Sequence, residues 1–368
     1  MDRKIRVGIL FGGKSAEHEV SLQSAKNVVD AIDKEKYEVV LIGIDKSGQW
    51  HLNESSNYLL NADNPKLIAL NKASEKVTLV PRAEKNELVK LTSNQSAGPL
   101  DVIFPVLHGT FGEDGTVQGF LKLADVPFVG AGVLGSAVGM DKDVMKRLLR
   151  DAGLPIGDFL VFHKKEIESI NFNALVERLG LPFFVKPANL GSSVGISKVK
   201  DFDQFEEAIR DAFNYDNKIL IEEYVEGREI ECSVLGNEDP IASLPGEVIP
   251  QHEWYSYEAK YIDEAGAKLV IPADLPDHLI KKFQQRAVEA FKVLCCEGMA
   301  RVDCFLRKKD DEVMIHEINT IPGFTKISMY PKLWEVSGIP YKELIDRLIQ
   351  LAIERHESEK ELKTSVEL

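Results

Sequence analysis

"GILFGGKS", Gly8 to Ser15, satisfies the phosphate-loop pattern G-x-x-x-x-G-K-[ST] letter for letter. Taken at face value, it places a nucleotide at the start of the first helix and makes the chain a P-loop protein. The residues between the glycines argue against that. Ile9, Leu10 and Phe11 would have to wrap a polyphosphate, which exposes three large apolar side chains to water and charge. The run Val7 to Phe11 is better accommodated as the core of a buried strand, with the turn beginning at Gly12. A nucleotide, if there is one, is then held elsewhere.

Working outward, "VSLQSAKNVVDAI" reads as a helix and "YEVVLIGI" as a second strand. This is the βαβ order of a parallel sheet covered by helices. "DVIFPVL" is a further strand, and "GTVQGFLKLADV" a helix with Val117, Phe120, Leu121 and Ala124 on one face. Asn53 to Gly98 is polar and weakly periodic, so it reads as peripheral or inserted. The glycine-rich stretch Phe128 to Met140 marks the first domain boundary. "DKDVMKRLLRDAG" follows as a helix capped by Asp141, striped by Val144, Leu148 and Ala152, and ended by Gly153. Strands and helices alternate from Phe159 to Glu226, the clearest helix placing Phe202, Phe205, Ile209 and Phe213 nearly in line. Gly246 to Pro276 has no clear period, and a loop that long is usually functional or disordered. A helix at "HLIKKFQQRAVEAFKVL", two strands, a last helix at "YKELIDRLIQLAIERH" and a frayed charged tail complete the chain. The expected domains are 1–138, 139–225 and 226–368.

With 368 residues, 44% hydrophobic and 28% charged, the composition is that of an ordinary globular protein. A net charge of −14 speaks against a general nucleic-acid or membrane-surface binder. Cys232, Cys295, Cys296 and Cys304 form no C-x-x-C pair and read as free thiols in a reducing compartment. The apolar run after the basic N-terminus is short, and Phe128 to Met140 is too short to span a bilayer, so a cytoplasmic location is expected.

A second decoy is the G-x-G-x-x-G spacing of Gly130, Gly132 and Gly135. No acidic residue ends a second strand about 20 positions on, so packing or a hinge explains these glycines better than a dinucleotide. "FFVKPANLGSSVGISKV" is a stronger phosphate site. Its strand delivers Lys186, and the backbone of the Gly191-Ser192-Ser193 turn can cradle phosphate oxygens. Then "ARVDCFLRKKDDEVMIHEINTIPG" reads as a hairpin. If it is symmetric about Asp310, Asp303 faces Glu317 and Arg301 faces Asn319, all on one face. Two opposed carboxylates repel unless a cation lies between them. Asp, Glu and Asn are hard oxygen ligands suited to phosphate-bound Mg²⁺, and Arg301 suits an anion that develops during reaction. A lysine-and-serine loop plus an acidic hairpin make an ATP site without a P-loop. "KILIEEYVEGREIECSVLG", between them, offers a crevice for adenine.

These residues resemble the ATP-grasp superfamily and, within it, the D-alanine–D-alanine ligase family. "GGKSAEHEVSL", "HGTFGEDG", "KPANLGSSVG", "EWYSYEAKY", and "RVDCF" with "EINTIPGFTKISMYP" occur in that family's order. The resemblance implies an α/β fold of three domains: an N-terminal parallel-sheet (pre-ATP-grasp) domain and two α+β domains that sandwich ATP. It implies that the carboxylate of one D-alanine attacks the γ-phosphate of ATP, and that the amine of a second attacks the resulting acyl phosphate. Asp303, Glu317 and Asn319 would hold two Mg²⁺ ions, Mn²⁺ being an alternative. Lys142 and Lys186 would hold the α- and β-phosphates with Ser193, and Lys260 would reach the γ-phosphate. Glu222, Tyr224, Val225 and Glu229 would line the adenosine pocket. Glu17 would bind the first ammonium, with His108 near the carboxylate. Arg301 and the Gly323 N–H would stabilise the tetrahedral oxyanion, and Ser328 and Met329 would hold the second carboxylate. Glu17, Ser192 and Tyr261 would steady a mobile loop, and Tyr261 favours an amine acceptor over a hydroxy acid. A homodimer is implied as well. The rival readings are a ligase using D-serine or D-lactate, a nucleotide-binding regulator without turnover, and an oxidoreductase using Gly130 to Gly135.

Overall fold

Val7, Ile9, Leu10 and Phe11 have no exposed surface, and they lie in strand Ile5–Gly12, one strand in from the edge of a seven-stranded sheet. The computed structural model describes residues 3–54, 56–62, 64, 67–72, 74–80, 87–192, 194–250 and 267–363. The chain turns at Gly12 and Gly13, with φ of +90° and +97°. A Cβ on Gly12 would lie 2.2 Å from the Ile44 carbonyl oxygen, so only glycine allows this turn. The P-loop match is therefore a strand running into a glycine turn.

Strand Ile5–Gly12 pairs in parallel with Tyr37–Ile44 and with Val102–Val106. The sheet continues past Tyr37–Ile44 through antiparallel strands Trp50–Asn53, Glu75–Val80, Glu87–Lys90 and Ser96–Pro99. Strands within the segment Asn53 to Gly98 thus extend one edge of the sheet, while Leu59–Leu60 and Ala69–Leu70 pair apart from it. Period-2 alternation separates the two faces. Val7, Ile9, Phe11 and Phe104 face helix His18–Ala31 and the C-terminal helix Tyr341–Lys360. Leu10, Ile42 and Ile103 pack with Val117, Leu121 and Ala124 of the helix around Thr116–Leu123. Phe120, expected on that buried face, is 36% exposed and meets Trp50 edge-on.

A four-stranded antiparallel sheet follows in the order Phe159–His163, Lys218–Glu223, Phe183–Pro187, Ser197–Val199. Helix Phe202–Tyr215 lays Phe205, Ile209 and Phe213 on it. Phe202 is 55% exposed and touches the ring of Phe172 instead. A third, antiparallel sheet runs Ala267–Val270, Gly246–Pro250, Gly227–Gly236, Gly298–Arg307, Val313–Asn319, backed by helix Asp277–Val293. The described ends of the Gly246–Pro276 segment are therefore paired strands, with Pro250 opposite Ala267.

Three further expectations change. Helix Lys142–Asp151 is capped by Asp141 as read, but it buries Met145, Lys146 and Leu149, while Leu148 is 38% exposed. Two apolar pairs at i,i+4 compete on this helix, and the one beside the buried Lys146 faces inward. The glycine-rich stretch contains a helix, Val133–Met140. A Cβ on Gly135 would come 2.5 Å from the Cys295 carbonyl oxygen, so the glycines serve close packing. The last helix runs on to Lys360, because His356 reaches Asp125 at 2.9 Å and Glu359 reaches Lys122 at 3.0 Å. The four cysteines are free. Among the described residues no helix is long and apolar enough to cross a membrane.

Candidate active site

The hairpin Gly298–Arg307 / Val313–Asn319 pairs Arg301 with Asn319 and Asp303 with Glu317, the register read from the sequence. Beyond that pair the register slips, and Cys304 faces Ile315. His316 is the extra residue, and the bulge directs its ring against Phe305 at 4.7 Å between centroids. Arg301 donates from Nε and Nη2 to both oxygens of Asp303, each at 2.7 Å, and its Nε lies 2.9 Å from Glu231 on the neighbouring strand. Burial alone would weaken the guanidinium's hold on its proton. Asp303 and Glu231 outweigh burial and keep it charged.

Asn319 Nδ2 donates to Asp303 at 3.0 Å, so its Oδ1 is the atom left to accept or ligate. Asp303, Glu317 and Asn319 thus present oxygen donors, the set that hard divalent cations take. Among the described residues no cluster of three His, Cys, Asp or Glu side chains is built for a metal; here the third donor is an amide.

A cavity of about 420 Å³ lies between the second and third sheets, lined by Lys142, Lys186, Gly191, Ser192, Glu222, Tyr224, Val225, Glu229, His316 and Glu317 among others. Glu222 is buried between two cations. It contacts Lys186 directly, and Lys146 at 3.1 Å. Burial would raise its carboxyl, but Lys146 and Lys186 outweigh burial and hold it well below the usual carboxylate range. Burial pulls the Lys186 ammonium down to about 8, against the attraction of Glu222. Burial, assisted by Lys186, pushes His316 down to about 3, so its imidazole is neutral. Lys142 opens its helix, and its backbone and ammonium both reach carbonyls of the Ala188–Leu190 loop.

A second cavity of about 280 Å³ is lined by Glu17, His108, Glu113, Glu231, Arg301, Asn319, Gly323, Ser328 and Met329 among others. It shares Gly191, Ser192, Val248 and Glu317 with the first. Ser192 adopts φ +52°, an uncommon conformation for a serine, and its Oγ donates to Glu17 from the opposite domain. His108 is buried, and its neutral form is favoured by burial. Its Nδ1 donates to the Ile321 carbonyl at 3.0 Å, and its Nε2 accepts from Ser24 Oγ at 3.1 Å. Both ring nitrogens are thus engaged within the protein. Gly323 sits where a Cβ would be 2.7 Å from Ser328 Oγ, and Ser328 Oγ accepts from the Thr325 N–H at 3.0 Å. Ser193, Lys260 and Tyr261 lie outside the described residues.

Sequence reasoning did not single out four buried or cavity-lining titratable side chains: Lys146, Glu231, His316 and Glu113. Glu113 accepts from Gly109 N at 2.7 Å and from Ile321 N at 3.3 Å, joining loops of two domains. Burial, with the Glu17 carboxylate beside it, pushes its carboxyl up to about 8. The folded protein therefore holds a proton that the unfolded chain releases. The stability this provides is full below the ordinary carboxylate range and fades as pH rises toward 8. Urea unfolding of the wild type should show stability falling between about pH 5 and 8. Glu113→Gln should flatten that slope, and an unchanged slope would place Glu113 outside this role.

The sequence matches two family models, "D-ala D-ala ligase N-terminus" over residues 6–131 and "D-ala D-ala ligase C-terminus" over residues 148–350. It is 60% identical over 362 residues to a D-alanine–D-alanine ligase of Oceanobacillus iheyensis, covering 98% of this chain and 99% of that one. The structure is similar to the D-alanine–D-alanine ligase of Coxiella burnetii, with a TM-score of 0.84, 39% identity and coverage of 98% and 97% of the two chains. It is also similar to a D-Ala:D-Ser ligase from Enterococcus faecalis, with a TM-score of 0.83, 34% identity and coverage of 95% and 100%.

Proposed function

The chain belongs to the D-alanine–D-alanine ligase family, and from that premise we propose how its own residues perform the reaction. It is an ATP-dependent ligase with the ATP-grasp fold that joins two D-alanine molecules, and the family supplies the dipeptide for peptidoglycan precursors. The observation that carries the assignment of the site is that the two cavities adjoin at Glu317 and Ser192. A nucleotide in one and amino acids in the other meet there.

The larger cavity takes ATP. Lys142 and Lys186 neutralise the α- and β-phosphates, assisted by the backbone of the Gly191–Ser193 turn. Glu222, Tyr224, Val225 and Glu229 receive adenosine, and Lys260 reaches the γ-phosphate. Asp303, Glu317 and Asn319 would hold Mg²⁺, which supplies charge neutralisation to the transferring phosphoryl group. In the smaller cavity Glu17 takes the ammonium of the first D-alanine and orients its carboxylate toward the γ-phosphate. That oxygen bonds to phosphorus as the bond to the ADP oxygen breaks, giving acyl phosphate and ADP. Ser328 and the Met329 N–H hold the carboxylate of the second D-alanine. Its free amine attacks the acyl carbon, Arg301 and the Gly323 N–H meet the oxyanion, and phosphate leaves. His108, with both nitrogens engaged, acts by fixing the wall beside the first carboxylate. Glu17 and Ser192, with Tyr261 as the family resemblance implies, would steady the loop that keeps water from the acyl phosphate.

Three further readings accompany this one. The domains divide at 138/139 and 225/226, supported by three sheets that fall on either side of those points. The protein works as a cytoplasmic homodimer, as the family resemblance implies. The amine acceptor is D-alanine, although the likeness to a D-Ala:D-Ser ligase means that fold alone does not choose the acceptor.

A coupled ADP-release assay tests the reading. ADP should appear only when D-alanine is present, and turnover should be slower with D-serine or D-lactate in the second site. Faster turnover with D-lactate near neutral pH would overturn the acceptor assignment. Lys186 adds a pH signature. Its ammonium is charged below about 8 and loses its proton above that. ADP affinity, followed by calorimetry, should therefore fall by about tenfold per pH unit above 8, while adenosine affinity stays flat. Parallel pH curves for the two ligands would remove Lys186 from the phosphate site.

A further inference from the structure

Lys218 stands outside the nucleotide cavity, yet it joins the parts that grip the phosphates. Its Nζ lies 2.6 and 2.8 Å from the two oxygens of Asp141 and 3.2 Å from Asp143, and its side chain is only 16% exposed. Asp141 caps helix Lys142–Asp151 by accepting from the N–H groups of Asp143 and Val144. The Lys218 ammonium therefore anchors the cap of the helix whose first residue is Lys142.

The same residue also holds the phosphate loop. Its carbonyl accepts from Ala188 N at 3.0 Å, and its N–H donates to Asp216 at 3.1 Å. Asp216 in turn accepts from both the backbone N and the Nδ2 of Asn189, each at 2.9 Å. Lys142 N closes the ring by donating to the Ala188 carbonyl at 3.0 Å. Lys218 opens the strand Lys218–Glu223, which pairs with the strand carrying Lys186 and ends near Glu222. One residue thus ties these parts together at the phosphate end of the cleft: its side chain holds the helix cap, and its backbone holds the loop to the central strand.

Charge balance points the same way. Lys142 is flanked in sequence by Asp141 and Asp143, two carboxylates at the end of the site that must receive a polyanion. Arg147 reaches Asp143 at 2.8 Å, but Asp141 has Lys218 as its close cation. Without that cation, Asp141 would repel phosphate and its cap would lose its anchor to the sheet.

We propose that Lys218 is a positioning residue for the nucleotide phosphates: it fixes Lys142 against the phosphate loop and cancels the charge of Asp141. The proposal rests on the assignment of Lys142 to the phosphates. It acts on phosphate recognition and leaves adenine and amino-acid recognition alone.

The test is calorimetric binding of ADP and of adenosine, with steady-state kinetics, on the full chain. Lys218→Met should weaken ADP binding by about tenfold, the size of a helix-end charge effect. Adenosine affinity and the KM for D-alanine should stay within about twofold. Lys218→Arg should restore most of the loss, because it keeps the cation. Adding Asp141→Asn to Lys218→Met should recover part of it, because asparagine still caps while the negative charge is gone. Equal weakening of ADP and adenosine would mean general collapse of the cleft and would overturn the proposal. Unchanged ADP affinity in Lys218→Met, with Lys142→Ala still impaired, would overturn it while leaving the phosphate site in place. Unchanged ADP affinity in Lys142→Ala would instead overturn the assignment of Lys142 itself, and the role of Lys218 with it.

Discussion

Arg301→Met is expected to lower kcat by about 10² to 10³ and to destabilise the fold by about 3–5 kcal/mol. The two losses have different origins. The kinetic one follows from the place of Arg301 in the wall of the smaller cavity, where the mechanism proposed above has its guanidinium meet the oxyanion. The stability loss follows from its partners. Asp303 and Glu231 are both buried, and both are within 2.9 Å of Arg301 Nε. Removing the cation leaves two enclosed carboxylates to repel each other. Arg301→Lys separates the effects. A lysine keeps the charge, so most of the stability should return. It lacks the planar fork that binds both oxygens of Asp303, so its ammonium is not held in place and activity should stay low. Urea unfolding and the ADP-release assay read the two quantities. A lysine variant with wild-type turnover would show that charge alone suffices and that the fork does nothing for catalysis.

What could be read from the sequence depended on how local the determining contacts are. The register of Arg301, Asp303, Glu317 and Asn319 is set by one short turn and the two-residue period of its strands, so the pairing was legible. The slip between Asp303 and Cys304 was not, because a bulge leaves no mark in an alternating pattern, and His316 was missed with it. The same holds for Glu222. The resemblance implied a place for it beside the nucleotide, but its second cation, Lys146, comes from a helix far away in sequence. That helix offered two apolar stripes, and only the packing of Met145 and Leu149 on the third sheet decides between them. The strands within Asn53 to Gly98 are two to six residues long, too short to show a period. Glu113 lay within a motif that was noticed, yet its bond to Ile321 N forms only when two domains meet.

Glu317 is the residue where function and stability should move in opposite directions. It faces Asp303 across the hairpin and lines both cavities. With Glu231 nearby, three carboxylates act on the guanidinium of Arg301. Like charges directly opposed on a sheet are destabilising by up to about 1 kcal/mol. Glu317→Gln keeps the shape and removes one charge, so the free protein should unfold at slightly higher denaturant. In the mechanism proposed above, the same change also removes an anionic donor for the divalent cation. Loss of such a donor should reduce turnover by about 10³ or more, since cation stabilisation of a transferring phosphoryl group is worth several kcal/mol. Ligand-induced stabilisation gives a readout independent of activity. Adding Mg²⁺ and ADP should raise the midpoint of the wild type clearly and that of Glu317→Gln little, because a ligand stabilises only in proportion to its affinity for the folded state. A variant that is less stable when free and equally stabilised by Mg²⁺ and ADP would show that Glu317 is a structural partner of Arg301 and holds no cation.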